Sequence, residues 1–199
     1  MSKITRSNKT SVKTYNINKT FWTIVVIIIF IIFVICVWYY WSTREPSVNC
    51  VCVFDLDDTI TCGLDNAKTA INECRSNSCK FAINTARTST FINDINFSAL
   101  GLDPEEIKDD HYTGDWNTKK VSYTSKQDLM QQIANKKTEH MYHLSNKYNV
   151  PKNRIILFDD NYTNINIAKD HGFSTIYANS KTCGLGNNVG HEINSILDQ

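Results

Sequence analysis

The sequence predicts an α/β domain built in three layers, a parallel sheet with helices on both faces, preceded by one membrane-spanning helix. Two observations predict the domain. Four short apolar runs, "VCVFD" (51–55), "FAINT" (81–85), "IILFD" (155–159) and "STIYA" (174–178), read as strands, and helical patterns alternate with them. Strands that alternate with helices form parallel sheets buried on both faces. The third observation is the stretch "FWTIVVIIIFIIFVICVWYYW", Phe21 to Trp41, which has no charged side chain and is long enough to span a bilayer.

Residues 1–20 are basic and rich in Asn, Ser and Thr without apolar periodicity, which predicts a disordered tail. Residues 21–41 form the span. A cleaved signal peptide would have a shorter apolar core ending in small residues, whereas this stretch ends in aromatic rings suited to the headgroup belt. Residues 42–49 are a short polar linker, and residues 50–199 form a single domain with room for one core. Lys3, Arg6, Lys9, Lys13 and Lys19 precede the span without an acidic residue, so the positive-inside rule predicts a cytosolic N-terminus and a lumenal or extracellular domain. The formal charge of the chain is +1, and setting aside the five tail cations leaves the remainder at about −4, which argues against a nucleic-acid partner.

Within the domain, apolar residues at Ala67, Ala70 and Ile71 predict a helix over 65–74. Ile133, Met141, Leu144 and Tyr148 predict another over 129–148, and Ile165 and Ala168 a third before Gly172. In "GLDPEEI", Asp103 can cap a short helix, with Pro104 at its first position and Glu106 closing a capping box. The segment from Asp109 to Ser125 reads poorly, with a strand or hairpin expected around Val121 to Tyr123. Six cysteines follow the span: Cys50, Cys52, Cys62, Cys74, Cys79 and Cys183. Their even number permits disulfides in an oxidising compartment, and buried reduced thiols are the alternative. A zinc site is disfavoured, because no histidine stands at ligand spacing near Cys50 and Cys52.

The polar residues worth attention fall where strands end. Asp55 and Asp57 follow the first run, Thr85 the second, and Asp159 and Asp160 the third. In open parallel sheets that edge is where ligands bind. Carboxylates from two strand ends that meet there suit Mg²⁺, a hard cation that prefers oxygen ligands. The ordered set Asp55-x-Asp57-x-Thr59, Thr85 in "NTAR", Lys137, and "ILFDDNYTN" resembles the four motifs of the haloacid dehalogenase (HAD) superfamily of phosphohydrolases, over roughly residues 50–180.

That resemblance implies a Rossmann-like HAD fold and a Mg²⁺-dependent phosphatase. Asp55 would be the nucleophile that forms an aspartyl-phosphate, and Asp57 the general acid and base. The side chains of Asp55 and Asp160 and the main-chain carbonyl of Asp57 would bind Mg²⁺. Thr85 and Lys137 would hold the phosphoryl oxygens, with Asp159 and Asn164 in support; the family often has an aspartate where Asn164 stands. Lys137 is preferred to its neighbour Lys136 by its offset from the last motif, and Asp58 is read as a bystander.

About 30 residues separate Asp55 from Thr85, too few for an inserted cap domain. Capless members of the family admit large substrates or use a partner as lid, so a phosphorylated macromolecule at the membrane is one expected substrate. A small phosphomonoester is equally compatible if the loop from His111 to Ser125 folds over the site. The competing function is an inactive HAD-like docking module at a membrane. Dehalogenation is disfavoured because it does not need a general acid at Asp57. One tension stands in the sequence: Asn161-Tyr162-Thr163 is a glycosylation sequon beside Asp160, and Asn96-Phe97-Ser98 is a second.

Overall fold

The computed structural model of the protein describes residues 11–42, 48–92, 95–114 and 124–199, and the chain divides into two compact units, Met1–Pro46 and Ser47–Gln199. In the first unit, helix α1 (Ser11–Ser42) contains Phe21–Tyr40, twenty residues with a mean hydropathy of 3.2 and long and apolar enough to cross a membrane. The helix begins ten residues before the apolar stretch, so residues 11–20, expected to be irregular, have helical backbone. Propagating a helix from an established one is easier than nucleating it, and the polar segment carries no proline to stop it. The rest of the expected tail, and the linker residues 43–47, lie outside the described residues.

The second unit contains β1 (Cys50–Phe54), α2 (Leu64–Ser76), β2 (Cys79–Asn84), α3 (Ser89–Ile92), α4 (Phe97–Leu100), α5 (Pro104–Ile107), β3 (His111–Tyr112), α6 (Lys126–Tyr148), β4 (Ile155–Asp159), α7 (Tyr162–Asp170), β5 (Ser174–Tyr177) and α8 (Val189–Leu197). The five strands pair in parallel in the order β3-β2-β1-β4-β5, which puts the N-terminal strand at the centre. The four expected strands are all present. The fifth, β3, is a two-residue edge too short to leave an apolar run. The strand expected around Val121 to Tyr123 lies outside the described residues.

Alternation along β1 assigns the layers. Cys50, Cys52 and Phe54 face one side, packed with Ala67, Ala70 and Ile71 of α2 and with Val189, Ile193 and Leu197 of α8. Val51 and Val53 face the other, against Met141 and Leu144 of α6 and Ala168 of α7. Phe54 and Phe158 are register partners on β1 and β4, and their rings stack with centroids 4.4 Å apart. At α5 the capping box forms as the sequence predicts: Asp103 Oδ1 accepts from the Glu105 N–H, and the Asp103 N–H donates to Glu106.

The six domain cysteines pair as Cys50–Cys79, Cys52–Cys74 and Cys62–Cys183. Cys50 and Cys79 are opposed register partners on β1 and β2, and Cys52 faces α2, which carries Cys74. The reduced-thiol alternative is therefore set aside, and no thiolate remains for a metal among these six. Cys62–Cys183 ties the turn after β1 to the loop after β5, where the chains run so close that a Cβ on Gly184 would lie 2.5 Å from the Cys62 carbonyl oxygen. At φ +95°, that backbone also favours glycine.

Candidate active site

Connections leave β1 towards β2 on one side and enter β4 on the other, so the crevice between β1 and β4 is the topological switch point of the sheet. Asp55 is the first residue past β1, and its N–H donates to Phe158 O at 2.9 Å. Asp159 closes β4 beside it, and Asp160 follows. One oxygen from each of Asp55, Asp159 and Asp160 falls within 4.8 Å of the others. The carboxylates that the sequence places at separate strand ends therefore do converge.

The positive charge that makes this convergence tolerable comes from α6. Lys137 Nζ donates to Asp55 Oδ1 at 2.7 Å and to Asp159 Oδ2 at 2.6 Å, and all three side chains are under a tenth exposed. Lys136 instead points out to Glu139. The turn of helix that carries Lys137 is held by Asn84, at the end of β2, whose Nδ2 donates to Lys137 O at 3.0 Å. Sequence reasoning missed Asn84, although a polar residue within "FAINT" was the available signal.

Asp159 has both oxygens engaged. Oδ1 accepts from the Asn161 N–H at 2.9 Å and from Asn164 Nδ2 at 2.9 Å, while Oδ2 accepts from Lys137 and, at 3.0 Å, from Asn164. Asn164 thus stands where the sequence suggested support, and it orients Asp159 rather than reaching Asp160. Asp55 and Asp160 are less committed. Burial raises the Asp55 carboxyl to about 7, against the pull of Lys137 and with Asp159 and Asp160 adding to the rise. Burial also raises Asp160, with Asp159 and Asp58 adding to it. For Lys137, burial works against the charge, but Asp159 and Asp55 together outweigh it and raise the ammonium above the ordinary lysine value.

The turn after β1, Leu56–Ile60, is a single wide turn interrupted at Asp57 and Asp58. Asp58 adopts φ +51°, a left-handed conformation that aspartate tolerates better than most residues. Arg87 grips Asp57 side-on, Nε to Oδ2 at 2.7 Å and Nη2 to Oδ1 at 2.9 Å. Thr85 sits just past β2, is 1% exposed, and accepts the Arg87 N–H on Oγ1 at 3.1 Å. Phe54 pairs with Ile83, so Thr85 lies at the same sheet edge as Asp55. The side chain of Asn161 caps α7 by accepting the Thr163 N–H at 2.8 Å, and it is half-buried.

The donor set can be tested as a metal site. Asp55, which has only Oδ1 on Lys137, and Asp160 offer hard oxygen atoms at one point, Asp159 is saturated by nitrogen donors, and burial pushes both Asp55 and Asp160 towards the neutral form. Such a set suits Mg²⁺, which takes one or two carboxylates and fills its remaining positions with water and substrate oxygens.

No protein-family model matches the chain, and no curated protein matches it. Several solved structures resemble it in part, two of which follow. An uncharacterized protein from Corynebacterium glutamicum ATCC 13032 Kitasato is 11% identical with a TM-score of 0.48, over 74% of this chain and 93% of that one. The core domain of a protein from Streptococcus pneumoniae TIGR4, provisionally assigned as a phosphoglycolate phosphatase, is 14% identical with a TM-score of 0.43, over 65% of this chain and 79% of that one.

Proposed function

We propose that the protein is a membrane-tethered, Mg²⁺-dependent phosphatase that hydrolyses a phosphomonoester through an aspartyl-phosphate on Asp55. The observation that carries this reading is the buried Lys137 between Asp55 and Asp159 at the switch point, with Asp160 alongside. A carboxylate held at a ligand-binding edge by a single ammonium is positioned to attack.

An oxygen of Asp55 attacks phosphorus, and the bond from phosphorus to the ester oxygen breaks. Asp57 gives its proton to the departing alcohol, then takes one from the water that releases phosphate from Asp55. Lys137 and Thr85 stabilise the charge that develops on the phosphoryl oxygens. Asp55, Asp160 and the Asp57 carbonyl would hold Mg²⁺, which would supply charge neutralisation to the transferring phosphoryl group. Asp159 and Asn164 keep Lys137 in place.

The tether would be Phe21–Tyr40, with the N-terminus cytosolic and the domain lumenal or extracellular. The charge bias before the span supports this topology, and so do three disulfides in one domain, which persist in oxidising compartments. Protease treatment of sealed membranes should leave the domain intact, and digestion from the cytosolic side would reverse the orientation. The activity is tested by hydrolysis of an aryl phosphate by the full chain in detergent, with and without Mg²⁺, beside Asp55→Asn. Turnover that needs Mg²⁺ and is lost in Asp55→Asn is expected. Turnover unaffected by the substitution would refute the mechanism, and no turnover of any phosphomonoester would favour a docking role.

A further inference from the structure

We infer that Arg87 is a specificity residue, and that the substrate is a small phosphomonoester whose alcohol part carries a second anionic group. This inference rests on the phosphatase reading and adds the class of leaving group.

Arg87 lies on the leaving-group side. Its guanidinium is fixed to Asp57, the group read as protonating the departing oxygen, whereas the phosphoryl oxygens are assigned to Lys137, which bonds Asp55 and not Asp57, and to Thr85. Whatever hangs from the ester oxygen therefore enters the space beside Arg87. That space is an open cavity of about 430 Å³ lined by Ala86, Arg87, Thr88, Thr90 and Phe91, a volume that suits a small molecule.

The guanidinium is held ready in that cavity. Asp57 occupies the Nε edge, and the Phe91 ring lies under the carbon of the guanidinium at 4.2 Å, so both its plane and its rotation are set before a ligand arrives. Binding Asp57 uses two of the five N–H donors. Among the described residues no other acceptor is bonded to the guanidinium, so the Nη1 and Nη2 edge remains, the fork that takes a carboxylate or phosphate in two parallel bonds. A guanidinium whose only task was to neutralise Asp57 would not need to line a cavity as well, as Arg87 does.

The test compares phenyl phosphate, meta-carbamoylphenyl phosphate and meta-carboxyphenyl phosphate with the full chain in detergent. A charged hydrogen-bonded pair is expected to favour the carboxylated ester over the neutral amide in kcat/KM by roughly tenfold to a hundredfold. In Arg87→Ala that ratio should fall to about one, and Arg87→Lys should keep a part of it, since it restores the charge without the fork. If Arg87 serves only to place Asp57, Arg87→Ala will slow all three esters equally and leave the ratio unchanged, which overturns the inference. Equal rates on the amide and the carboxylate in the native protein also overturn it, while the phosphatase reading stands. If no ester is hydrolysed, the phosphatase reading fails, and calorimetry of Asp55→Asn with the same three esters decides this one. Tighter binding of the carboxylate that is lost in the Arg87→Ala double variant supports it, and equal affinities refute it.

Discussion

Replacing Lys137 by Met keeps most of the side-chain volume and removes the cation shared by two buried acids. The side chains of Lys137, Asp55 and Asp159 are 4%, 8% and 0% exposed, so solvent cannot take over the role of the ammonium. Removing one partner of a buried ion pair costs roughly 3–5 kcal/mol, and here one ammonium serves two carboxylates, which points to the upper end of that range. The loss should depend on pH. With Lys137 present, Asp55 already lies at about 7; with it gone, the remaining influences on Asp55, which are burial, Asp159 and Asp160, all raise it. A carboxyl whose folded value lies above its unfolded one favours the fold at low pH and loses that contribution as pH rises through the folded value. The deficit of Lys137→Met should therefore be smaller at about pH 6, where Asp55 is protonated in both proteins, and grow towards about pH 9, where Asp55 has ionised in the native protein but is still held back in the variant. Denaturant titrations of the full chain in detergent at both pH values measure it. A deficit below about 1 kcal/mol, or one that is equal at the two pH values, would refute the description of Lys137 as the counter-charge of the site.

Three further outcomes follow from the same geometry. Because Mg²⁺ must displace the proton that burial keeps on Asp55, apparent Mg²⁺ affinity should rise roughly tenfold per pH unit up to about 7 and then level off, as read from the Mg²⁺ dependence of turnover. His140 is buried, stacked on Tyr112, and lowered by burial from 6.5 to about 4, with Asp110 opposing and His143, His111 and Lys147 reinforcing the shift. A depressed histidine costs stability as pH falls from its unfolded value through its folded one, so His140→Phe should remove about 3 kcal/mol of acid destabilisation between pH 6.5 and about 4, measured by chemical denaturation. The double variant Cys62→Ser with Cys183→Ser opens a bridge with a sequence separation of 121, and should lower stability by roughly 2–5 kcal/mol. Since that bridge anchors the turn carrying Asp57, turnover should fall at temperatures where the variant is still folded.

The strands and helices that position the site were legible because their signals are local. β1, β2, β4 and β5 are apolar runs, α2 and α6 are periodic, and α5 carries its cap in four consecutive residues. Helix α8 was missed even though Val189, Ile193 and Leu197 repeat at helical spacing and fill the core against α2, so the pattern was present and unread. Strand β3 left no signal, because two residues at a sheet edge form no run. The carboxylate cluster was legible through the ends of the strands. The supporting place of Asp159 was legible too, but its ion pair with Lys137 was not, since that contact joins residues 22 apart. Arg87 was also out of reach: its pairing with Asp57 joins residues 30 apart, and nothing in "DLDDT" reveals it.

A covalent phosphoryl group on Asp55 is the most direct mark of the proposed phosphatase. The direct measurement is acid quenching of the full chain during turnover of an aryl phosphate with Mg²⁺, followed by peptide mapping by mass spectrometry. A phosphoryl group on the peptide that carries Asp55, absent from Asp55→Asn and accumulating when Asp57→Asn slows the release step, is the expected result. Turnover with no phosphorylated peptide, or with the phosphoryl group on another residue, would contradict it.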